Sequence, residues 1–169
     1  MPSITNLFHI ALKTPDIEAT TIFYRDILGM ELAERPALDF DGIWLKTATP
    51  HGDIIIHVYA GDAALEPDGS MAVGAGVIDH VAVSAQGYEA FKQRFEKWGL
   101  DWRENVLPEI GLWQLFVYDP SGVMLELSFA AASEDQDTPE VLAERQYRPR
   151  APFFDAGAYA SLCRKGGQA

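Results

Sequence analysis

The hydrophobic and polar positions of the chain form a pattern that occurs twice. The run His9-Ile10-Ala11-Leu12 is echoed by His80-Val81-Ala82-Val83, an offset of 71 residues from residue 9 to residue 80. Internal repetition of this kind indicates one structural unit written twice. Each run begins with a histidine and continues with apolar residues, which predicts a buried β-strand.

A helix is predicted after each of these strands. Thr14-Pro15-Asp16 is a helix start signal, and apolar residues follow at helical spacing until Gly29 ends the first helix. In the second copy the helix ends at Gly99, since glycine readily adopts the left-handed conformation found after helices. The apolar face of this second helix is marked at spacings of three and four by Tyr88, Phe91, Phe95 and Trp98.

Short strand-like runs follow each predicted helix. They cover residues 42–47 and 53–59 in the first copy, and residues 112–118 and 123–129 in the second. The repeated unit is predicted to be βαβββ, in which these runs are two of the three strands after the helix, and the fold class is α+β. Two such units can pair into a curved mixed sheet with the helices outside, and the concave inner face is the natural place for a site.

The domain organisation follows from the extent of the repeats. We expect a single domain over residues 1–130, with repeats at about 5–60 and 77–129 joined by a linker at 61–76. Residues 131–169 form a C-terminal extension in which residues 138–145 are a candidate short helix. The extension is either a solvated terminus or a segment whose aromatic residues, Phe153, Phe154 and Tyr159, pack over the sheet or a second subunit.

Composition and charge narrow the classes of function. The chain of 169 residues has a net charge of −12, which opposes binding to nucleic acid. No apolar run approaches the length needed to span a membrane, and no export signal precedes the first strand. The single cysteine, Cys163, has no partner for an internal disulfide. We therefore expect a cytoplasmic protein whose partner is a small molecule, with neither nucleic acid nor membrane involved.

The residues that can carry chemistry occupy equivalent places in the two copies. His9 and His80 begin the first strands of the repeats, so a pseudo-twofold arrangement would bring both rings to the inner face. Glu126 interrupts the apolar run of the last strand, and His57 interrupts the corresponding run of the first copy. A charged or polar side chain is costly to bury without a partner, so Glu126 and His57 are both candidate metal ligands.

These features resemble the glyoxalase, bleomycin-resistance and extradiol-dioxygenase superfamily, also known as the vicinal oxygen chelate proteins. The resemblance covers roughly residues 5 to 129. It rests on His9 to Gly29, on His80 to Gly99, and on Asp119-Pro120-Ser121-Gly122 with Glu126 seven residues after the aspartate. The resemblance implies that one divalent ion, which is Fe, Zn, Ni, Co or Mn, is held by His9, His57, His80 and Glu126.

Two departures from the family pattern leave the reaction class open. Where this chain has His57, the lactoylglutathione lyases usually have a glutamate, which is also their proton-transfer base. A histidine cannot act as a base while its free lone pair binds a metal, so His57 is either a ligand or a base. Extradiol dioxygenases use two histidines and one glutamate for Fe(II), with His57 or His51 then outside the ligand set. Their usual tyrosine is replaced by Phe116, and we expect nearby Tyr118 to point to the opposite face.

The resemblance therefore implies a metal-dependent enzyme that acts on a small substrate with adjacent oxygens. The leading interpretation is an isomerase or lyase that works through an enolate-like intermediate, with Glu126 or His57 as the catalytic group. The alternatives are an Fe(II) ring-cleaving dioxygenase and a metal-free protein that sequesters a ligand. We expect a homodimer. Basic residues do not predict an anion pocket. An apolar wall for the cavity could be formed by Trp44, Trp113 and Phe116, although aromatic residues in strands belong more often to the core.

Overall fold

The computed structural model describes residues 2–3, 7–49 and 53–166 of the chain. Contacts divide the molecule into two compact units, Met1–Ala72 and Val73–Ala169. Each unit carries one copy of the sequence repeat and forms one four-stranded sheet. The α+β class and the two βαβββ repeats predicted from the sequence are confirmed.

The first unit begins with a strand, a helix and three more strands. Its sheet has the order β1-β4-β3-β2, in which β1 and β4 are parallel and the other neighbours are antiparallel. A π-helical segment, Phe23–Ile27, directly follows the α-helix of this unit. The elements are β1 (Ile10–Lys13), α1 (Ile17–Ile22), β2 (Glu31–Ala33), β3 (Gly42–Thr47) and β4 (Ile54–Tyr59), followed by a 3-10 turn at Gly61–Ala64.

Local sequence explains where α1 begins and where the helical segment ends. The side chain of Asp16 accepts a hydrogen bond from the backbone N–H of Ala19 at 2.9 Å, which satisfies one of the unpaired donors of the first turn. At the other end Gly29 has φ 79°, a left-handed conformation that glycine adopts without a steric penalty. The buried helical residues Phe23 and Ile27 belong to the core of this unit.

The second unit repeats this plan and adds an extension. Its sheet has the order β5-β8-β7-β6, again with the first two strands parallel. Short 3-10 turns lie at Pro108–Ile110 and Ala131–Ser133. The elements are β5 (Val81–Ala85), α2 (Tyr88–Trp98), β6 (Arg103–Leu107), β7 (Leu112–Tyr118), β8 (Met124–Ala130), α3 (Ala156–Tyr159) and α4 (Leu162–Gly166).

One face of the second sheet packs against α2 through aromatic rings. Tyr88 meets Trp113 and Phe129 edge to face, with ring centroids 5.5 and 5.3 Å apart. Aromatic pairs in this geometry add to the stability gained by burying their area. Trp113 therefore belongs to the core beneath α2, which is the second of the two alternatives for this residue, and it does not help to line the site. Side chains alternate between the two sides of a strand. Trp113 and Phe116 are an odd number of positions apart on β7, so they lie on opposite sides of the sheet.

Two strands were not singled out in the sequence. The strand β2 has only three residues and two of them are exposed, so it carries little hydrophobic pattern. The strand β6 contains Arg103, Glu104 and Asn105 in succession, which hides its alternation. β2 pairs with β3 and β6 pairs with β7, and both partners have a clearer hydrophobic pattern. This pairing determines the conformation of β2 and β6.

The C-terminal extension packs over the second unit and contains no helix at residues 138–145, where one was predicted. This segment instead reaches β6, where the backbone of Glu104 bonds to the carbonyl of Arg145 at 2.7 Å and to the N–H of Tyr147 at 2.8 Å. Pairing with a strand satisfies these backbone groups and removes the need for a helix. Further on, Tyr159 and Leu162 are buried.

Candidate functional site

Strand register places His57 and Glu126 at equivalent positions of the two sheets. His57 pairs with Ala11 on β1, and Glu126 pairs with Ala82 on β5. Ala11 and Ala82 are themselves 71 residues apart, which is the offset of the repeat. The equivalence of the two interruptions in the apolar runs is therefore present in the structure.

In the second unit, Glu126 is the centre of a hydrogen-bonded cluster. Its carboxylate is buried, with 7% of the residue exposed. One oxygen, Oε1, accepts hydrogen bonds from Gln114 Nε2 at 2.6 Å and Ser128 Oγ at 2.5 Å. The other oxygen, Oε2, lies 3.1 Å from His80 Nε2. Two donors thus hold one oxygen and leave the second directed at the histidine.

His80 lies between two carboxylates. Its Nδ1 is 2.7 Å from Asp79 Oδ1, and this hydrogen bond lowers the pKa of Asp79. With a proton on Nδ1, a neutral imidazole presents a lone pair at Nε2, which faces the negatively charged Oε2 of Glu126. Nε2 and Oε2 are both atoms of the kinds that bind divalent metal ions, and they lie side by side. A carboxylate that orients a histidine through its second nitrogen is also the usual support of a metal ligand.

In the first unit, His57 is held between two other rings. It stacks on Trp44 with centroids 4.0 Å apart and on His9 with centroids 4.1 Å apart. Burial and, to a smaller extent, the charge of His9 lower the pKa of His57. His57 is therefore neutral near pH 7, as a metal ligand or a general base must be.

The nitrogen and oxygen atoms of these side chains are of the kinds that bind divalent ions, and one of them has no hydrogen-bond partner. His9 Nδ1 is buried with no hydrogen-bond partner, as expected of an atom that has a ligand to bind. The structure brings together His80 with Glu126 and His9 with His57. The rings of His9 and His57 lie 23° from parallel, so their in-plane lone pairs do not converge. Among residues 2–3, 7–49 and 53–166, no group of three or more acidic, histidine or cysteine side chains is close enough to hold a metal.

Phe116 and Tyr118 both lie on the face of the second sheet that carries Glu126. Phe116 pairs directly with Glu126, and Tyr118 pairs with Met124. Side chains two residues apart on a strand point to the same side, so the expectation that Tyr118 faces away from Phe116 was wrong. Trp44 has the corresponding place in the first sheet, where it pairs with His57. Trp44 and Phe116 thus lie beside His57 and Glu126 in their respective sheets. His51 lies outside the described residues.

The basic residues near the strands are engaged elsewhere. Arg35 donates to the carbonyl of Phe40 at 2.7 Å. Arg103 donates to Asp101 at 2.8 Å and lies over the ring of Phe153. Neither interaction forms an anion pocket at the two clusters.

Sequence reasoning missed three residues that support the cluster in the second unit. Gln114 could have been found, because it pairs with Ser128 and so shares the alternation of Glu126. Asp79 precedes His80 and could have been read as its orienting group. Tyr147 gave no signal, because it lies in the extension. Its ring stacks on Phe116 with centroids 3.8 Å apart, and its hydroxyl lies 3.3 Å from Asp79 Oδ1.

Comparisons with known proteins give a family match and several solved structures. The model of the family described as Glyoxalase/Bleomycin resistance protein/Dioxygenase superfamily matches residues 6–127. A protein assigned to the glyoxalase family from Bacillus anthracis is 21% identical, with a TM-score of 0.59, and the match covers 77% of this chain and 98% of that one.

Two further structures carry more specific descriptions. A lactoylglutathione lyase from Agrobacterium tumefaciens is 20% identical with a TM-score of 0.56, covering 78% of this chain and 98% of that one. The fosfomycin resistance protein FosX from Listeria monocytogenes is 19% identical with a TM-score of 0.53, covering 75% and 94%. A comparison with curated proteins found no match. In the described part of the chain, none of the helices has the length and apolar character needed to cross a membrane.

Proposed function

Since the chain belongs to the Glyoxalase/Bleomycin resistance protein/Dioxygenase superfamily, we propose that it is an enzyme that uses one divalent metal ion to act on a small substrate with two adjacent oxygens. One observation carries this proposal. His80 is oriented by Asp79 and directs its Nε2 at the buried carboxylate of Glu126, 3.1 Å away. This arrangement of an N and an O donor suits Fe, Zn, Ni, Co and Mn alike.

In the proposal, His9, His80 and Glu126 hold the metal, and His57 is either a fourth ligand or a base. The bound ion would stabilise negative charge that develops on the adjacent oxygens of the substrate. Gln114 and Ser128 keep Glu126 in position through Oε1, and Asp79 keeps the ring of His80 in position. Coordination by both His9 and His57 would need one of their stacked rings to rotate.

The leading reaction class is an isomerase or lyase that works through an enolate-like intermediate. The lowered pKa of His57 leaves its imidazole neutral near pH 7, so it can accept a proton from a carbon next to a carbonyl. Glu126 Oε2 is the other candidate base. Trp44 and Phe116, which pair with these two groups, would exclude water from the reacting atoms.

A second candidate is an Fe(II) ring-cleaving dioxygenase. The set His9, His80 and Glu126 has the composition of the two-histidine, one-carboxylate triad that binds Fe(II) in many oxygenases. The two classes differ in what they consume, because ring cleavage requires oxygen and proton transfer does not.

Reconstitution with single metals separates these reactions. The chelator-treated protein would be loaded with Fe(II), Zn(II) or Ni(II) and assayed on catechols under oxygen and on α-hydroxy or α-keto carbonyl compounds without it. Anaerobic turnover with Zn(II) or Ni(II) supports the isomerase or lyase. Oxygen consumption with a catechol, dependent on Fe(II) alone, overturns it, and tight ligand binding without turnover in any metal form favours a sequestering protein.

Metal content tests the ligands directly. Elemental analysis should find about one divalent ion per chain in the purified protein, as expected for a single site. A His80→Ala, Glu126→Ala double variant should lose this ion, whereas the exposed Glu140→Ala control should keep it. Stoichiometric metal in the double variant would contradict the assignment. The proposal also includes a homodimer and a cytoplasmic location.

A further inference from the structure

A cavity of about 340 Å³ opens in the second unit, beside the cluster around Glu126. Its lining combines residues 75–79, Tyr118, Gly122 and Met124 of the sheet region, and residues 147, 148 and 150–152 of the extension. Met124 precedes Glu126 by two residues on β8, so their side chains lie on the same face of the sheet. This cavity therefore adjoins the proposed metal ligands.

Two apolar residues of the cavity lining are open to solvent. Val77 and Ile78 line the cavity and are 105% and 59% exposed. The aromatic rings of Tyr118 and Tyr147 lie in the same lining. Exposed apolar side chains gathered around a concave surface are typical of a ligand site.

Two arginines of the extension give the cavity a positive edge. Arg148 and Arg150 both line it, although the whole chain has a net charge of −12. Within the described part of the chain, no carboxylate forms an ion pair with either guanidinium. Arg150 has φ 68° and is alone in this respect among the described residues other than glycine. Left-handed backbone at such a residue is uncommon and is found more often at ligand clamps.

Tyr147 connects the cavity to the cluster. Its hydroxyl lies 3.3 Å from Asp79 Oδ1, and the same oxygen atom holds His80. The ring stacks on Phe116, which is the strand partner of Glu126. A molecule in the cavity would therefore touch both the arginines and the residues that hold His80 in place.

We propose that this cavity binds an organic anion: a small acid whose carboxylate pairs with Arg148 and Arg150 and whose apolar group lies against Val77 and Ile78. Guanidinium groups bind carboxylates through paired, charge-assisted hydrogen bonds, so the two arginines suit the carboxylate of such an acid. That the adjacent oxygens of the acid lie at the metal ion rests on the proposed function. Recognition of its negative charge by the arginines does not depend on the metal.

The test compares benzoylformate with its methyl ester, by calorimetric titration of the full chain. Both molecules have adjacent oxygens and a phenyl ring, and only the acid is charged. Neither can form an enolate, so binding is measured without turnover. The double variant Arg148→Gln, Arg150→Gln is compared with Arg164→Gln, an exposed arginine of α4 that does not line the cavity.

The acid should bind at least about tenfold more tightly than the ester to the wild type and to Arg164→Gln, given the strength of charge-assisted bonds. This preference should fall to within about twofold in the double variant and weaken with added salt in the wild type. Equal binding of acid and ester, or a preference that survives in the double variant, overturns the proposal. If the double variant does not fold, the single variants Arg148→Gln and Arg150→Gln give the same comparison.

Measurement with and without Zn(II) keeps this inference distinct from the metal-dependent function. A preference for the acid that is the same in both forms supports the anion site even if the metal does not contribute to binding. Zn(II)-enhanced binding of acid and ester alike, with no preference between them, supports the metal site and overturns the anion site.

Discussion

Asp79 is mostly exposed, and its effect on the site goes through His80. It fixes which nitrogen of His80 carries a proton, and so directs the other nitrogen at Glu126. Residues that orient a metal ligand in this way commonly change metal affinity by about 10-fold to 100-fold when they are removed.

We therefore predict that Asp79→Ala weakens Zn(II) binding by about 10-fold to 100-fold without changing the fold. The variant Asp79→Asn keeps an oxygen that accepts the His80 hydrogen bond, so it should lose less affinity. Calorimetric titration with Zn(II) measures both, with the exposed Asp39→Ala as control. Equal affinity in wild type and Asp79→Ala would show that His80 needs no orienting partner.

Four tyrosines of the folded protein should lose their protons only at a higher pH than an ordinary tyrosine. Burial is the main cause that raises the pKa of Tyr88, Tyr118, Tyr147 and Tyr159 above the ordinary value. A raised tyrosine pKa stabilises the folded state below the unfolded value of about 10, and this contribution is lost as pH rises through the folded pKa.

An alkaline titration followed by phenolate absorbance measures this effect. The folded protein should show a delayed phase above about pH 10 that disappears in urea, where all tyrosines titrate together. Tyr147→Phe should remove part of the delayed phase. A single transition at the ordinary pKa in the native protein would contradict the burial of these hydroxyls.

At the scale of elements, the extension supplies the N-terminal cap of α2. Gly87 precedes this helix and has no side chain to cap it. The carboxylate of Glu134 accepts hydrogen bonds from the N–H groups of Gly87 and Tyr88 at 2.9 and 2.8 Å. A negative charge at this position also interacts favourably with the helix dipole.

We predict that Glu134→Ala lowers the free energy of unfolding by about 1 kcal/mol, as loss of a helix cap does. Glu140→Ala, which removes an exposed carboxylate in the same segment, should change it far less. Urea denaturation monitored by circular dichroism compares the two variants. Equal stability of Glu134→Ala and the control would mean that α2 does not depend on the extension.

A buried carboxylate also connects α2 to the edge of the second sheet. Glu104 is 3% exposed and accepts hydrogen bonds from the Tyr88 hydroxyl at 2.6 Å and from Trp102 Nε1 at 3.1 Å. Lys92 Nζ lies 3.2 Å away and offsets the charge. Removing one partner from a buried charged group is more destabilising than removing one hydrogen bond.

Glu104→Ala should therefore cost about 3–5 kcal/mol of unfolding free energy, since it leaves a buried hydroxyl, an indole N–H and Lys92 without their acceptor. Tyr88→Phe removes one bond and should cost about 1 kcal/mol. Chemical denaturation gives both values. A loss for Glu104→Ala no greater than that for Tyr88→Phe would refute the cooperative role of the carboxylate.

The repeat explains how much of the site was predictable from the sequence. His57 and Glu126 were found because each interrupts the apolar run of the last strand of its repeat, and the strand registers place them at equivalent positions. Tyr147, Arg148 and Arg150 were not found, because no period extends past residue 130. Their placement depends on backbone bonds to Glu104, more than 40 residues away, which local patterns do not contain.

At the scale of the whole molecule, apolar residues at one edge of the first sheet bear on the oligomeric state. Leu7 and Phe8 are 78% and 73% exposed, and only His9 separates them from β1, which is an edge strand. Proteins usually cover such edges to avoid nonspecific association. This exposure supports the proposed homodimer.

We predict that light scattering at micromolar concentration gives twice the chain mass of 18.7 kDa. A Leu7→Asp, Phe8→Asp double variant should shift the mass toward that of one chain, because burying two carboxylates in an interface is costly. The control Leu142→Asp changes an exposed apolar residue outside this edge. A monomeric wild type would refute the dimer.

The parallel pairing of β1 with β4 and of β5 with β8 determines the order of events on the ribosome. A first strand stays unpaired until the last strand of its repeat has been made, so the two sheets can close only after Tyr59 and Ala130 have left the exit tunnel. The extension is synthesised after the last strand of the second sheet. A chain shortened to end at Ala130 would contain every strand of both sheets and lack Arg148 and Arg150, so it would lose recognition of the anion while keeping His9, His57, His80 and Glu126.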